Sequence, residues 1–181
     1  MTLTAVTTAL VLIITYFASV QLTVQGQVFD GGDIMIFITA LTFGPIVGGF
    51  AGGVGSGLSD ALHGYTVFAP FTLVIKGSEG VVAGYLAYKS LHGKELPLAW
   101  LSASIVMVGG YFLAEFYFIG LVFGQSALQG IFPFLDLPFN LLQVFAGGLI
   151  GIPVSRTLKK SLPSILFATK PRGLSSSSGK P

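Results

Sequence analysis

Long apolar runs separated by short polar breaks organise this chain. Leu3–Val24 is the first run. A helix crossing a hydrocarbon core of about 30 Å needs roughly 20 such residues. No Lys or Arg precedes the run and no small-x-small cleavage site follows it, so it reads as a retained helix, not a signal peptide. Ile34–Phe43 is apolar but short and ends at Gly44-Pro45, after which the glycine-rich Ile46–Leu62 begins. Gly-Pro is a strong helix stop, so residues 34–62 divide into two short spans in place of one tilted span. Val67–Lys89, Pro97–Phe123 and Phe132–Val154 complete six predicted spans. The predicted fold is all-α and integral to a membrane, a six-transmembrane-helix bundle over residues 1–160. Residues 161–181 form a polar tail, expected to be disordered.

Charge placement orients the bundle. Lys89 and Lys94 share one loop, and Arg156, Lys159, Lys160, Lys170, Arg172 and Lys180 follow the last span; Lys76 alone lies elsewhere. Two spans separate the basic groups, so both occupy one side, which the positive-inside rule makes cytoplasmic. The N-terminus carries no charged side chain, so charge alone does not fix its side. Asp30, Asp33, Asp60, His63 and the loop around Gln125–Gln129 fall outside, while His92 falls inside.

Composition agrees with this picture. Hydrophobic residues are 52% and charged residues 9% of the chain, against about 25% charged in a soluble domain. A cytosolic enzyme is excluded on that ground, and no basic stripe supports nucleic-acid binding. Cysteine is absent, which removes disulfides and thiolate metal sites, and a lone His63 is a poor metal ligand set. Glycine is abundant and regularly spaced: Gly44, Gly48, Gly52, Ser56 and Asp60 form one row at intervals of four, and Gly49, Gly53, Gly57 and Ala61 a second. Gly80–Gly84 and Gly147–Gly151 repeat the spacing. Such rows let a second backbone come close. They fit either internal packing or a sliding surface for a partner. Ala5 and Ala9 carry a weaker signal of the same kind.

Ionisable residues inside a span are costly and are candidate sites by default. Lys76 and Glu79, at i and i+3, are either an ion pair or the polar wall of a cavity. Glu115 lies mid-span near Tyr111, Tyr117 and Phe118. The last span carries Asp136, Asn140 and Gln143. The two amides offer donors and acceptors without charge, which suits either interhelical bonding or a heterocyclic ligand. Asp33 follows Gly31-Gly32 and is placed to cap a helix. Asp60, His63 and Tyr65, beside Phe68, Pro70 and Phe71, are belt residues or the lid of a cavity.

Two catalytic patterns fail on inspection. Ser56 and His63 evoke an intramembrane serine protease, but they would lie two turns apart on one helix. Gly173…Gly179-Lys180 is misspaced for a phosphate loop and has no helix after it.

The order of motifs resembles a known family. FDGGD (29–33), FGPIVGGFAGGVGSGLSDALHGY (43–65), FAPFTLVIKGSEGVVAGYLA (68–87), GGYFLAE (109–115) and LPFNLLQVFAGGLIG (137–151) together are similar to the substrate-binding S components of energy-coupling factor (ECF) vitamin transporters. The resemblance covers residues 1–160. It implies six helices with both termini cytoplasmic and a prokaryotic plasma-membrane location. It also implies a vitamin cavity open to the outside, formed by the outer loops and helices 4–6. The first loop would act as gate, with Asp30, Asp33, Asp60 and His63 in the gate and outer loops. Ala5 and Ala9 would face a membrane-embedded coupling subunit, and two ABC ATPases would complete the importer. Lys76, Glu79, Glu115, Asn140 and Gln143 would line the cavity with Tyr65, Phe68 and Tyr111. The vitamin would be cargo, with no cofactor, no metal and no catalysis. The acidic outer half favours a neutral or cationic heterocycle: riboflavin first, thiamine or its pyrimidine precursor next. A small stand-alone secondary carrier or channel is the alternative.

Overall fold

A computed structural model describes residues 1–21, 28–88, 94–119 and 131–161. The tail from 162 onward, His92, Lys89 and the Gln125–Gln129 loop lie outside the described residues. Six α-helices account for most of the rest. They are α1 (Thr2–Phe17), α2 (Gly32–Phe43), α3 (Pro45–Leu62), α4 (Ala69–Tyr88), α5 (Leu96–Ala114) and α6 (Phe132–Ser161). A π-helical turn, Glu115–Ile119, continues α5. Residues Val20–Gln21 (β1) and Val28–Phe29 (β2) pair antiparallel, with Val20 opposite Phe29.

The first helix is shorter than its apolar run. It stops at Phe17 and not at Val24, which leaves 16 residues, about 24 Å. The Ala18 N–H closes the last turn on the Ile14 carbonyl, and the Ser19 hydroxyl turns back to the Thr15 carbonyl. The chain then enters β1. The division at Gly44 is as expected. Its φ of +91° suits glycine, its N–H donates to the Ala40 carbonyl at 3.0 Å, and Pro45 opens α3. The last helix outruns its predicted end, continuing through Pro153 to Ser161.

Two helical segments, Leu96–Tyr117 and Phe132–Ser161, are long and apolar enough to cross a membrane. The rest are short, like α1 and α2, or diluted by glycine and charge, like α3 and α4. The distribution of side chains is nonetheless inverted relative to a water-soluble bundle. Asp33, Lys76, Glu79, Glu115, Asn140 and Gln143 are buried, whereas Ile46, Val74, Ile105 and Leu149 are each more than 60% exposed. A continuous apolar exterior around a charged interior suits hydrocarbon surroundings.

The glycine rows are consumed by internal packing. A Cβ on Gly52 would lie 2.7 Å from the Lys76 carbonyl oxygen, and one on Gly53 2.7 Å from that of Leu73. Both rows of α3 therefore lie against neighbouring helices, chiefly α4, and neither is a free sliding surface. Gly55 admits Val11 of α1, and Gly147 and Gly151 admit Phe37 of α2. Phe37, Leu41, Leu96 and Met107 form the main apolar core with the alanines of α4 and α5. At the basic end, the Lys159 amino group donates to the Ala87 carbonyl at 3.1 Å and ties α6 to α4.

Candidate functional site

Three polar groups occupy the interior. The first joins α2 to α4. Lys76 donates to the Asp33 Oδ1, and its Nζ lies 3.7 Å from Glu79 Oε2. All three side chains are nearly inaccessible. The expected Lys76–Glu79 pair is thus the looser half of a triad. Asp33 does not cap α2; Gly31 occupies the cap position without a side-chain bond. The local turn is held instead by Asp30, whose Oδ1 accepts from the Gly32 N–H at 2.7 Å. Glu79 keeps both oxygens, and Asp33 keeps Oδ2, without a hydrogen-bond donor.

The second group is a hydroxyl relay across α5, α4 and α3. The Tyr111 hydroxyl donates to Thr72 Oγ1 at 3.1 Å, and Thr72 donates to Asp60 Oδ2. Lys76 Nζ lies 5.7 Å from the centre of the Tyr111 ring, so the relay abuts the triad. Thr72 was not evident from the sequence, because a lone threonine in an apolar run carries no spacing signal.

The third group lies where α5 meets α6. Glu115 opens the π-helical turn, and its carboxyl lies close to that of Asp136. Asp136 Oδ2 accepts from the Asn140 side-chain amide at 2.7 Å. Glu115 Oε2 is buried without a donor. Asp136, Asn140 and Gln143 are spaced by four and three, which places them on one face of α6. Phe112, three residues before Glu115, is edge-on to Phe134 at 5.2 Å and stacked on Phe116 at 6.1 Å. Single π-turns recur at functional sites, where they re-aim a side chain out of helical register.

Other expected residues lie elsewhere. His63 caps α3, is exposed, and stacks on Tyr16 of α1 at 4.3 Å, with the Tyr65 ring 6.1 Å away. Tyr65 and Phe68 are half-buried in the α3–α4 connection, outside the three polar groups. Ala5 and Ala9 are exposed, on the opposite side of α1 from the buried Thr7, Val11 and Thr15. Among the described residues a groove of about 680 Å³ lies between α5 and α6, lined by Trp100, Leu101, Ile105, Leu142 and Phe145 among others. None of the expected ligand residues lines it.

An apolar helical bundle with a hydrogen-bonding interior suits a membrane-embedded protein. Comparison with known proteins makes this specific: residues 1–160 match the family described as "ECF-type riboflavin transporter, S component", and the chain belongs to it. It is therefore a transporter component and not an enzyme. A Pyrococcus woesei protein named only "Uncharacterized protein in gap 3'region" is 40% identical over 136 residues, covering 75% of this chain and 84% of that one. The "Thiamine precursor transporter HmpT" of Lactococcus lactis subsp. cremoris (strain MG1363) is 28% identical over 137 residues, covering 75% of this chain and 72% of its own. Family membership brings a vitamin-type substrate and an ECF module as partner.

Proposed function

We propose that this chain is the high-affinity vitamin-binding subunit of a prokaryotic plasma-membrane ECF importer. It would work with a coupling transmembrane subunit and two ABC ATPases. All six helices would lie in the bilayer with both termini cytoplasmic, and the vitamin would be cargo. The observation that carries the reading is the buried Glu115–Asp136–Asn140 group at the π-turn. It presents acceptor oxygens, one of them without a donor, and the stacked rings of Phe112 and Phe116 lie on the same stretch of chain as Glu115. A flat nitrogen heterocycle offers N–H donors to the oxygens and a face to the rings.

The interior is acidic. Among the described residues, Asp33, Glu79 and Glu115 are buried and Asp60 and Asp136 half-buried, and Lys76 is the one buried cation. That balance disfavours a multiply anionic vitamin and favours a neutral or cationic one. Riboflavin is the lead substrate, in keeping with the family. The pyrimidine precursor of thiamine is the second reading, supported by the carboxyl pair and by the name of the Lactococcus relative.

The test is identification of the co-purified small molecule. The protein is extracted in mild detergent and denatured, and the released compounds are examined by mass spectrometry and flavin fluorescence. A stoichiometric flavin supports riboflavin, and an aminopyrimidine supports the second reading. An empty protein that ignores both compounds in calorimetry overturns the assignment. Uptake by the chain alone in liposomes, without ATPases, would make it a stand-alone carrier.

A further inference from the structure

The α5–α6 groove lies on the outer surface of the bundle, apart from the polar interior. Its polar atoms are already used. The Trp100 indole N–H donates to the Val144 carbonyl at 2.7 Å, and the Ser104 hydroxyl to the Trp100 carbonyl at 2.9 Å. An occupant gains nothing there by hydrogen bonding, so the groove selects hydrocarbon. Apart from Ser104 and Gly109 its walls are bulky, whereas close docking of another helix calls for rows of small residues.

Charge at one end selects among hydrocarbons. Leu141, Phe145, Leu149, Ile152, Arg156 and Lys160 recur at intervals of three and four, so they share one face of α6. Arg156 and Lys160 are exposed at its end. Lys94 precedes α5 at the same end, with Glu95 the acidic residue beside it. Phe145 lies about 16 Å along the helix from Arg156. One leaflet of a bilayer core is about 15 Å deep. Leu142 is about 21 Å from Arg156, so a chain whose headgroup meets Arg156 reaches the near end of the groove, at Phe145. We propose that the α5–α6 groove seats an acyl chain of an anionic phospholipid whose phosphate is held by Arg156 and Lys160.

The test is native mass spectrometry of the full chain in mild detergent, titrated with dioleoylphosphatidylglycerol or dioleoylphosphatidylcholine. The anionic lipid is expected to be retained on the order of tenfold better, as two basic contacts at a membrane surface allow. The double variant Arg156→Gln/Lys160→Gln, altered only at exposed positions, is expected to lose that preference. Ile105→Trp and, separately, Leu142→Trp fill the groove and should reduce retention of both lipids. Equal retention by the unaltered protein overturns the proposal, as does an unchanged preference in the double variant. A dimer by light scattering that Leu142→Trp dissociates would assign the groove to a second copy, and overturns it too.

Discussion

The side-chain amide of Asn140 donates to Asp136 Oδ2 at 2.7 Å, one helical turn away, while the Asp136 carboxyl also meets Glu115 on the neighbouring helix. The amide thus orients the carboxyl pair at the α5–α6 junction. Asn140→Ala is expected to weaken vitamin binding by about 1–3 kcal/mol. Calorimetry against the co-purified compound reads this directly. Unchanged affinity with a lowered melting temperature would make Asn140 a helix-to-helix tie instead.

Lys76 neutralises Asp33 across 43 residues of sequence and lies beside Glu79. Removing one partner of a buried ion pair leaves an uncompensated charge, at a cost of about 3–5 kcal/mol. Lys76→Met should therefore lower the melting temperature sharply. Adding Asp33→Asn should restore part of the loss, because the second change removes a stranded carboxylate. A double-mutant cycle by thermal denaturation in detergent measures the coupling, and additive losses would refute it.

Glycine positions differ in tolerance according to what stands opposite. Gly52→Val places its side chain against the Lys76 backbone, and overpacking of this kind costs about 1–3 kcal/mol. Gly109 has nothing within 4 Å of where a Cβ would be. Gly109→Ala should be neutral or stabilising, by up to about 1 kcal/mol of helix propensity. Thermal unfolding of the two variants side by side gives the comparison.

Ala5 and Ala9 form an exposed small-residue strip on α1. Ala5→Trp or Ala9→Trp should abolish ATP-dependent uptake by the reconstituted importer while leaving vitamin affinity within about twofold, since the far side of α1 is untouched. Loss of vitamin binding in either variant would contradict a docking role.

Much of the architecture was legible in the sequence because the signals were local. Gly44-Pro45 announced the α2–α3 break, and the four-residue glycine spacing announced close packing. Apolar length over-extended α1, since Val20 to Val24 are hydrophobic enough for a span; their alternation with Gln21 and Thr23 was the missed strand signal, realised at Val20–Gln21. The polar residues were identified one by one, but their partners were not. Lys76 and Glu79 share a helix face and so looked sufficient to each other, which hid Asp33. Asp136 was noticed only as a charge in a span, because its contact with Glu115 crosses between helices and leaves no trace in spacing. The Tyr111–Thr72–Asp60 relay was invisible for the same reason.

The near-contact of the α3 and α4 backbones has a consequence for how such a scaffold diversifies. Where peptide groups touch, as at Gly48–Gly80 and Gly52–Lys76, there is no interior volume for a side chain to claim. On the proposed reading, variation in cargo would then fall on the junction of α5 and α6, where carboxyl and amide groups can be exchanged without disturbing that seam. The α3–α4 pair would serve as a chassis and the α5–α6 junction as the interchangeable fitting.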